Sequence, residues 1–162
     1  MITRRDITEA LNAAGVAFSL VQHEEARTTA EADAFIEGYE GVRTKSLFLV
    51  NRKRTARYLL IMDDQKDLDL SRLVKTLGEN RLSFGSAERL SAALGLEPGV
   101  VSPFGFIDPD HLEVTLLFDT EILQEETLTF HPGDNRATIF IGTKDLLAFL
   151  GGLGVQYRTI EV

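Results

Sequence analysis

The strongest constraint on the fold is a pair of short, almost continuously apolar segments that are separated by a polar turn. The two segments are residues 46–50 and 58–62, and the residues between them are polar and basic. A strand with one face in solvent alternates apolar and polar residues, whereas an uninterrupted apolar strand is typical of burial on both faces. We therefore expect a β-hairpin at the centre of a sheet, covered on both sides.

The remaining segments alternate between helical and strand patterns. Apolar residues at i, i+3, i+4 and i+7, bounded by capping residues and glycines, predict helices near residues 4–14, 30–36, 68–77, 86–94 and 143–150. Strand patterns fall near residues 16–21, 81–84, 112–118, 127–131, 137–141 and 155–162. No repeat or Pro/Gly/Ser-rich linker divides the 162 residues, so we predict a single domain spanning residues 1–162. The expected class is α+β, with a mixed, largely antiparallel, curled and barrel-like sheet surrounded by helices.

Composition excludes several kinds of chemistry. The chain has no cysteine, which rules out a disulfide scaffold, a thiolate nucleophile and an iron–sulfur cluster. Its three histidines are isolated in the sequence, so we expect no metal site. Phosphate-binding, dinucleotide-binding and serine-hydrolase motifs are missing, so no cofactor is expected. No apolar run reaches the roughly 18 residues that span a bilayer, and the first residues enter an amphipathic pattern, so we expect a cytoplasmic protein that does not bind membranes.

The net charge of −8 is unevenly distributed. Residues 1–60 contain 9 basic and 8 acidic residues, whereas residues 61–162 contain 8 basic and 17 acidic ones. The excess of acid argues against a broad basic footprint for nucleic acid, but it leaves room for a local one in the nearly neutral first part.

Five segments have both a functional and a plain structural interpretation. Residues 23–25 (His-Glu-Glu) suit a substrate-facing loop or a solvated turn, and Lys45 suits a pocket cation or a surface lysine at a strand end. The loop at 99–105 contains two glycines and a proline, which suit close approach to a carbonyl or a long structural turn. Residues 130–135 fit a ligand-binding turn or an ordinary hairpin, and the four cations within residues 52–57 suit phosphate binding or solubility.

Taken in this order, the segments resemble the YbaK/prolyl-tRNA synthetase-associated domain family, and within it the free-standing prolyl-tRNA editing proteins. The resemblance extends over essentially the whole chain and rests on residues 23–26 with Thr28, residues 45–49, the loop 99–105, and residues 130–132 with Asp134, Asn135 and Thr138. It implies a mixed α/β barrel-like fold and hydrolysis of a mischarged aminoacyl-tRNA, most of all alanyl-tRNA(Pro). One departure is Ser46, because relatives often carry Asn after the matching lysine.

The resemblance also implies roles for individual residues. The catalytic group would comprise Lys45, Gly99, Ser102 and Pro103. Substrate-binding residues would be His23, Thr28, Ser46, Phe104, Gly105, His131, Asn135 and Thr138. The basic turn of Arg52, Lys53, Arg54 and Arg57 would contact tRNA.

Two alternatives to an alanyl-tRNA(Pro) deacylase stay open at this point. One is a catalytically silent module that binds an aminoacyl-tRNA or aminoacyl-adenosine and assists a synthetase, which the serine at position 46 keeps open. The other is a deacylase of another mischarged tRNA, such as cysteinyl-tRNA(Pro). The expected partner is the acceptor end of tRNA, with prolyl-tRNA synthetase or an elongation factor as a transient second partner.

Overall fold

A computed structural model describes all 162 residues of the chain. It contains five α-helices: α1 (Arg4–Ala13), α2 (Thr29–Phe35), α3 (Leu70–Leu77), α4 (Ala87–Leu94) and α5 (Thr143–Gly152). It contains eight strands: β1 (Phe18–Gln22), β2 (Val42–Asn51), β3 (Arg57–Asp63), β4 (Leu82–Phe84), β5 (Thr115–Asp119), β6 (Thr127–Phe130), β7 (Ala137–Gly142) and β8 (Tyr157–Ile160). Three short 3₁₀ turns, which the sequence patterns did not predict, occupy Pro103–Ile107, Pro109–His111 and Ile122–Gln124.

Local signals in the sequence account for most helix ends. Thr3 and Asp6 form the reciprocal capping box of α1, in which each side chain accepts a hydrogen bond from the other residue's backbone N–H. Asp69 caps α3 through the backbone N–H of Arg72. Gly78 then ends α3 in the left-handed conformation that glycine adopts without a steric penalty.

The eight strands form one mixed, curled sheet in the order β1-β7-β6-β2-β3-β5-β8, with β4 beside β2. Four strand pairs are antiparallel, and three, β2–β6, β3–β5 and β5–β8, are parallel. Strand β2 is long enough to pair with β6 at its start and with β4 at its end. The structure confirms the predicted α+β class with a mixed, curled sheet.

The β2–β3 hairpin lies at the centre of this sheet and is buried on both faces. The side chains of Leu59 and Ile61 enter the larger apolar core, of 23 buried residues, whereas Leu60 and Met62 enter a second core of eight residues beside α3. Alternate residues of a strand point to opposite faces, so a continuously apolar strand contributes to both cores. Burying one such side chain contributes about 1.5–3 kcal/mol, which makes this hairpin a large part of the stability. No helix combines the length and the apolar character needed to cross a membrane.

Candidate functional site

A cavity of about 220 Å³ opens between α2, the first half of β2 and the loops around residues 99 and 131. Its lining combines an apolar wall with polar and charged groups. The apolar wall is formed by Ala32, Ile36, Leu47, Val101 and Phe130. The other lining residues are Thr29, Asp33, Thr44, Lys45, Ser46, Gly99, Thr129, His131 and Thr138. Concave sites of this mixed character are the usual places for small-molecule binding.

Lys45 contributes the ammonium group of this cavity. It lies within β2, opposite Met62 of β3, and not at the start of the strand as its sequence context indicated. The side chain is half-buried, and its ammonium makes no hydrogen bond or ion pair within the protein. A cation that is held in a pocket without a partner is free to bind an incoming oxygen or phosphate.

His131, which follows β6, brings a second titratable group to the cavity. Burial, and then the nearby His23, hold the pKa of His131 below its usual value, so the imidazole is neutral at pH 7. Its Nδ1 is buried and has no hydrogen-bond partner. The neutral ring therefore presents a polar atom that the fold itself does not satisfy, as binding sites often do.

His23 reaches the same region from β1. The β1–β7 ladder pairs Val21 with Thr138, and the Nε2 of His23 lies 3.0 Å from the Thr138 hydroxyl. Its Nδ1 lies 2.7 Å from the backbone carbonyl of Glu24, which only accepts, so Nδ1 donates there. The ring stacks on Phe35 of α2 at 5.1 Å, with 9° between the planes. His23 thereby joins α2 to the sheet beside the cavity.

Two predicted substrate-binding residues serve as supports for the segment that leads into α2. Thr28 is the N-cap of α2 and accepts a hydrogen bond from the backbone N–H of Glu31. Asn135 donates from its side-chain amide to the carbonyl of Ala26 at 2.8 Å. Both residues line a smaller depression that shares Thr29, Gly99 and His131 with the main cavity, so their place is at its edge.

The loop at 99–105 is divided between the cavity and the core. Gly99 lines the cavity with a φ of +86°, a conformation that other residues rarely adopt. Ser102, by contrast, is fully buried, and its hydroxyl caps the 3₁₀ turn by accepting from the backbone N–H of Phe104.

Three further residues of this loop are buried in the core and do not line the cavity. Pro103 begins the 3₁₀ turn and is buried. Phe104 is fully buried, with its ring edge against Phe130 and Phe149. A Cβ at Gly105 would lie 2.9 Å from a backbone oxygen of α4, so this glycine permits close packing of the loop on the helix. The ring of Phe104 and the close packing at Gly105 thus stabilise the loop behind the cavity.

The basic turn lies at the far end of the β2–β3 hairpin. Arg52 lies seven positions after Lys45 in the sequence, which corresponds to about 20 Å along a strand. Arg52 and Arg54 line a second, shallow groove, and Lys53 is exposed beside it. Arg57 pairs with Glu113 at 3.0 Å.

Sequence reasoning missed two arginines of this groove and one acid of the cavity. Arg81 and Arg89 line the groove with exposed Phe84, because the β2–β4 ladder brings them to the basic turn. Asp33 of α2 lines the cavity, but its acidic neighbours in the sequence made it resemble an ordinary solvated helix face. The structure contains no group of three or more His, Asp or Glu side chains placed to hold a metal ion.

Comparison with known proteins gives a consistent result. Residues 23–149 match the family model of the aminoacyl-tRNA editing domain. ProX, a prolyl-tRNA editing protein of Acetoanaerobium sticklandii, is 30% identical over 100% of this chain and 99% of its own length. Prolyl-tRNA synthetase associated domain-containing protein 1 of Bos taurus is 26% identical over 93% of this chain and 90% of its own.

A solved structure, that of a candidate trans-editing enzyme for prolyl-tRNA synthetase, superposes with a TM-score of 0.75 and 25% identity. The superposition covers 98% of this chain and 94% of that one. Because the family match covers most of the chain and the relatives align along nearly all of it, this chain belongs to the aminoacyl-tRNA editing domain family.

Proposed function

We propose that the protein is a trans-editing deacylase that hydrolyses the ester of mischarged tRNA(Pro), with alanyl-tRNA(Pro) as the preferred substrate. Membership of the aminoacyl-tRNA editing domain family supports the reaction class, and similarity to ProX along the whole chain supports tRNA(Pro). The observation that carries the site is the unpartnered ammonium of Lys45 in a cavity with a neutral histidine and a positive-φ glycine.

The chemistry needs little from the side chains, because an aminoacyl ester is already activated. Hydrolysis requires a positioned water and stabilisation of the oxyanion that develops on the carbonyl. In the proposed mechanism Lys45 binds the 3′ end of the tRNA, at its terminal adenosine or phosphate. The backbone around Gly99 faces the carbonyl, and the free hydroxyl of the terminal ribose activates the water. Such a mechanism suits a chain without cysteine and without a Ser-His-Asp arrangement.

The apolar wall would select the amino acid by size. In this proposal the apolar residues Ala32, Ile36 and Leu47 of the lining would favour a methyl side chain over a pyrrolidine ring. One methylene group more or less in an apolar pocket changes the rate by about 10- to 200-fold, so exclusion by size would contribute a part of the selectivity.

The arginine groove at the other end of the hairpin would hold the acceptor arm. Arg52, Arg54, Arg81 and Arg89 form no ion pair within the protein, so they are free to contact phosphates. A tRNA that reaches both Lys45 and this groove would extend over about 20 Å of the hairpin. The positive charge of these arginines would bind tRNA locally on an otherwise acidic protein. Contact with prolyl-tRNA synthetase or an elongation factor would be transient.

One assay tests the proposal against its alternatives. The purified protein is incubated with alanyl-, cysteinyl- and prolyl-tRNA(Pro), and ester loss is compared with spontaneous hydrolysis. Fast loss from the alanyl ester alone supports the proposal, whereas fast loss from the cysteinyl ester assigns another specificity to the same cavity. Loss from none of the three would contradict the proposal and favour the silent binding module, which Ser46 in place of the common Asn keeps open.

A further inference from the structure

Asp33 is the one acidic residue in the lining of the cavity. It projects from α2 into a site whose other charged lining residue is Lys45 of β2. The proposed mechanism assigns a role to the lysine but none to the acid. A carboxylate that lies partly out of water carries a desolvation cost, so its presence in the cavity calls for a partner.

The carboxyl of Asp33 lies near that of Asp64, the residue that follows β3, and the two acids interact electrostatically. Asp64 is fixed by its backbone N–H, which donates to the carbonyl of Arg43 at 2.9 Å, and by the side chain of Gln65. Its Oδ2 is buried and has no hydrogen-bond partner. A second carboxyl so close opposes ionisation of Asp33, so the protonated form of Asp33 is favoured until a positive charge is brought to it.

Other charged groups around Asp33 do not remove this need. The guanidinium of Arg43 favours the ionised form, but it donates its hydrogen bonds to backbone carbonyls near the end of α2. Asp63 opposes ionisation further, and His131 in the cavity wall is neutral. Burial, followed by the contact with Asp64, therefore raises the pKa of Asp33 to about 7.

We propose that Asp33 binds the α-ammonium group of the aminoacyl ester, and that the protein thereby selects esters with a free amino group and rejects N-acylated ones. This inference rests on the proposed function, because it assigns a part of that substrate to a part of that cavity. An α-amino group has an ordinary pKa of about 8, so it arrives charged at neutral pH. Its charge favours the ionised form of Asp33, whose proton is released to solvent, and the ammonium then holds the ester between Asp33 and Lys45.

The consequence for specificity concerns the class of ester and not the size of its side chain. Every aminoacyl ester carries the ammonium, so the apolar wall still separates alanine from proline. An N-acetylated, formylated or peptidyl ester lacks the charge and adds bulk beside Asp33. Loss of a charged hydrogen bond costs about 1.5–3 kcal/mol, which corresponds to a fall of about 10- to 100-fold in kcat/KM.

The test compares alanyl-tRNA(Pro) with N-acetyl-alanyl-tRNA(Pro) on the wild-type protein and on Asp33→Asn. We expect wild type to prefer the free-amino ester by at least about 10-fold. Asp33→Asn should lower kcat/KM for the alanyl ester by a similar factor and leave the rate for the N-acetyl ester unchanged. The matched control is Glu37→Gln, which removes one negative charge from an exposed position just beyond α2.

Two results would overturn the inference. The first is loss of the same factor on both esters by Asp33→Asn, which would indicate that the residue only holds α2 in place. The second is wild-type rates of this variant on both esters. Unfolding is not an expected cause, because a group whose folded pKa is raised from 3.8 to about 7 destabilises the protein as pH rises through that window. The variant should therefore be at least as stable as wild type at pH 8.

A binding measurement separates failure of this inference from failure of the proposed function. The non-hydrolysable amide 3′-alanylamino-3′-deoxyadenosine and its N-acetyl derivative are titrated into wild type and Asp33→Asn. Preference of wild type alone for the free-amino analogue supports the role of Asp33 even if neither ester is hydrolysed, a result that would reject the deacylase. Equal affinity of wild type for the two analogues rejects the role of Asp33, whatever the hydrolysis assay shows.

Discussion

Replacement of Lys45 by alanine should abolish most of the deacylase activity while the fold stays intact. The ammonium of Lys45 has no partner in the protein, so the substitution breaks no ion pair and leaves no buried charge alone. The stem of the side chain is partly buried, so we expect the substitution to lower the free energy of unfolding by about 1–2 kcal/mol, which leaves the fold intact.

The effect on catalysis depends on what the ammonium contacts. A charged hydrogen bond to the 3′ end contributes about 1.5–3 kcal/mol, and a donor to a developing oxyanion about 2.7–4 kcal/mol. The expected loss in kcat/KM is therefore between about 10-fold and 1,000-fold. A rise in KM with little change in kcat indicates anchoring of the 3′ end, whereas a fall in kcat indicates stabilisation of the transition state.

The measurement is deacylation of alanyl-tRNA(Pro) over a range of substrate concentrations, with thermal unfolding measured on the same preparations. Lys75→Ala is the matched control, because this lysine is exposed on α3 and lies outside both the cavity and the arginine groove. A folded Lys45→Ala protein that keeps the wild-type kcat/KM would refute the assignment of the site. A loss of kcat/KM accompanied by a large fall in Tm would refute the reasoning that the Lys45 side chain is not needed for the stability of the fold.

Three further predictions concern the histidine, the buried loop and the basic groove. Burial lowers the pKa of His131, so this residue binds fewer protons in the folded than in the unfolded state, and the stability of the protein should fall as the pH drops below 6.5. His131→Gln should flatten this part of a plot of Tm against pH. An unchanged slope would contradict the argument that burial lowers this pKa. Gly105→Ala should destabilise the protein by about 1–3 kcal/mol, because the new Cβ would lie 2.9 Å from the backbone oxygen of Leu94. An unchanged midpoint in urea unfolding would show that the loop can move away from α4 without a loss of stability. The double substitution Arg52→Gln/Arg54→Gln should raise KM for tRNA. If both arginines contact phosphates, it should also reduce the slope of log affinity against log salt concentration by about 1.5–2. A slope equal to that of wild type would indicate that the turn only contributes to solubility.

The capping residues and the apolar patterns predicted every α-helix and every strand of the structure, but the ends differ by up to four residues, most of all in β2, which begins at Val42 and not at Ser46. These signals are local: Thr3 with Asp6 and Gly78 act within a few residues of their own position. The 3₁₀ turn at Pro103–Ile107 was not predicted, because its stabilising contacts come from α4 and β6. For the same reason the sequence could not separate Gly99, which lines the cavity, from Phe104, which fills the core behind it.

The candidate site was predictable only where a motif marked it. Lys45 and His131 were selected from the sequence, and the fold places both in the cavity lining. Asp33 carries no such mark, because an acid on a short helix is usually solvated. Its proximity to Asp64 brings together a residue of α2 and the residue that follows β3, which no local pattern in the sequence predicts.

By itself, the sequence determined that this protein has a central hairpin buried on both faces, that it has no thiol chemistry, and that its basic charge is concentrated in the first part of the chain. These follow from local pattern and from composition, which do not depend on which segments meet. Only the tertiary structure decided which polar groups share a cavity and which serve the core. That choice is made by strand pairing and packing between residues far apart in the chain, such as Asp33 with Asp64 and Arg52 with Arg81.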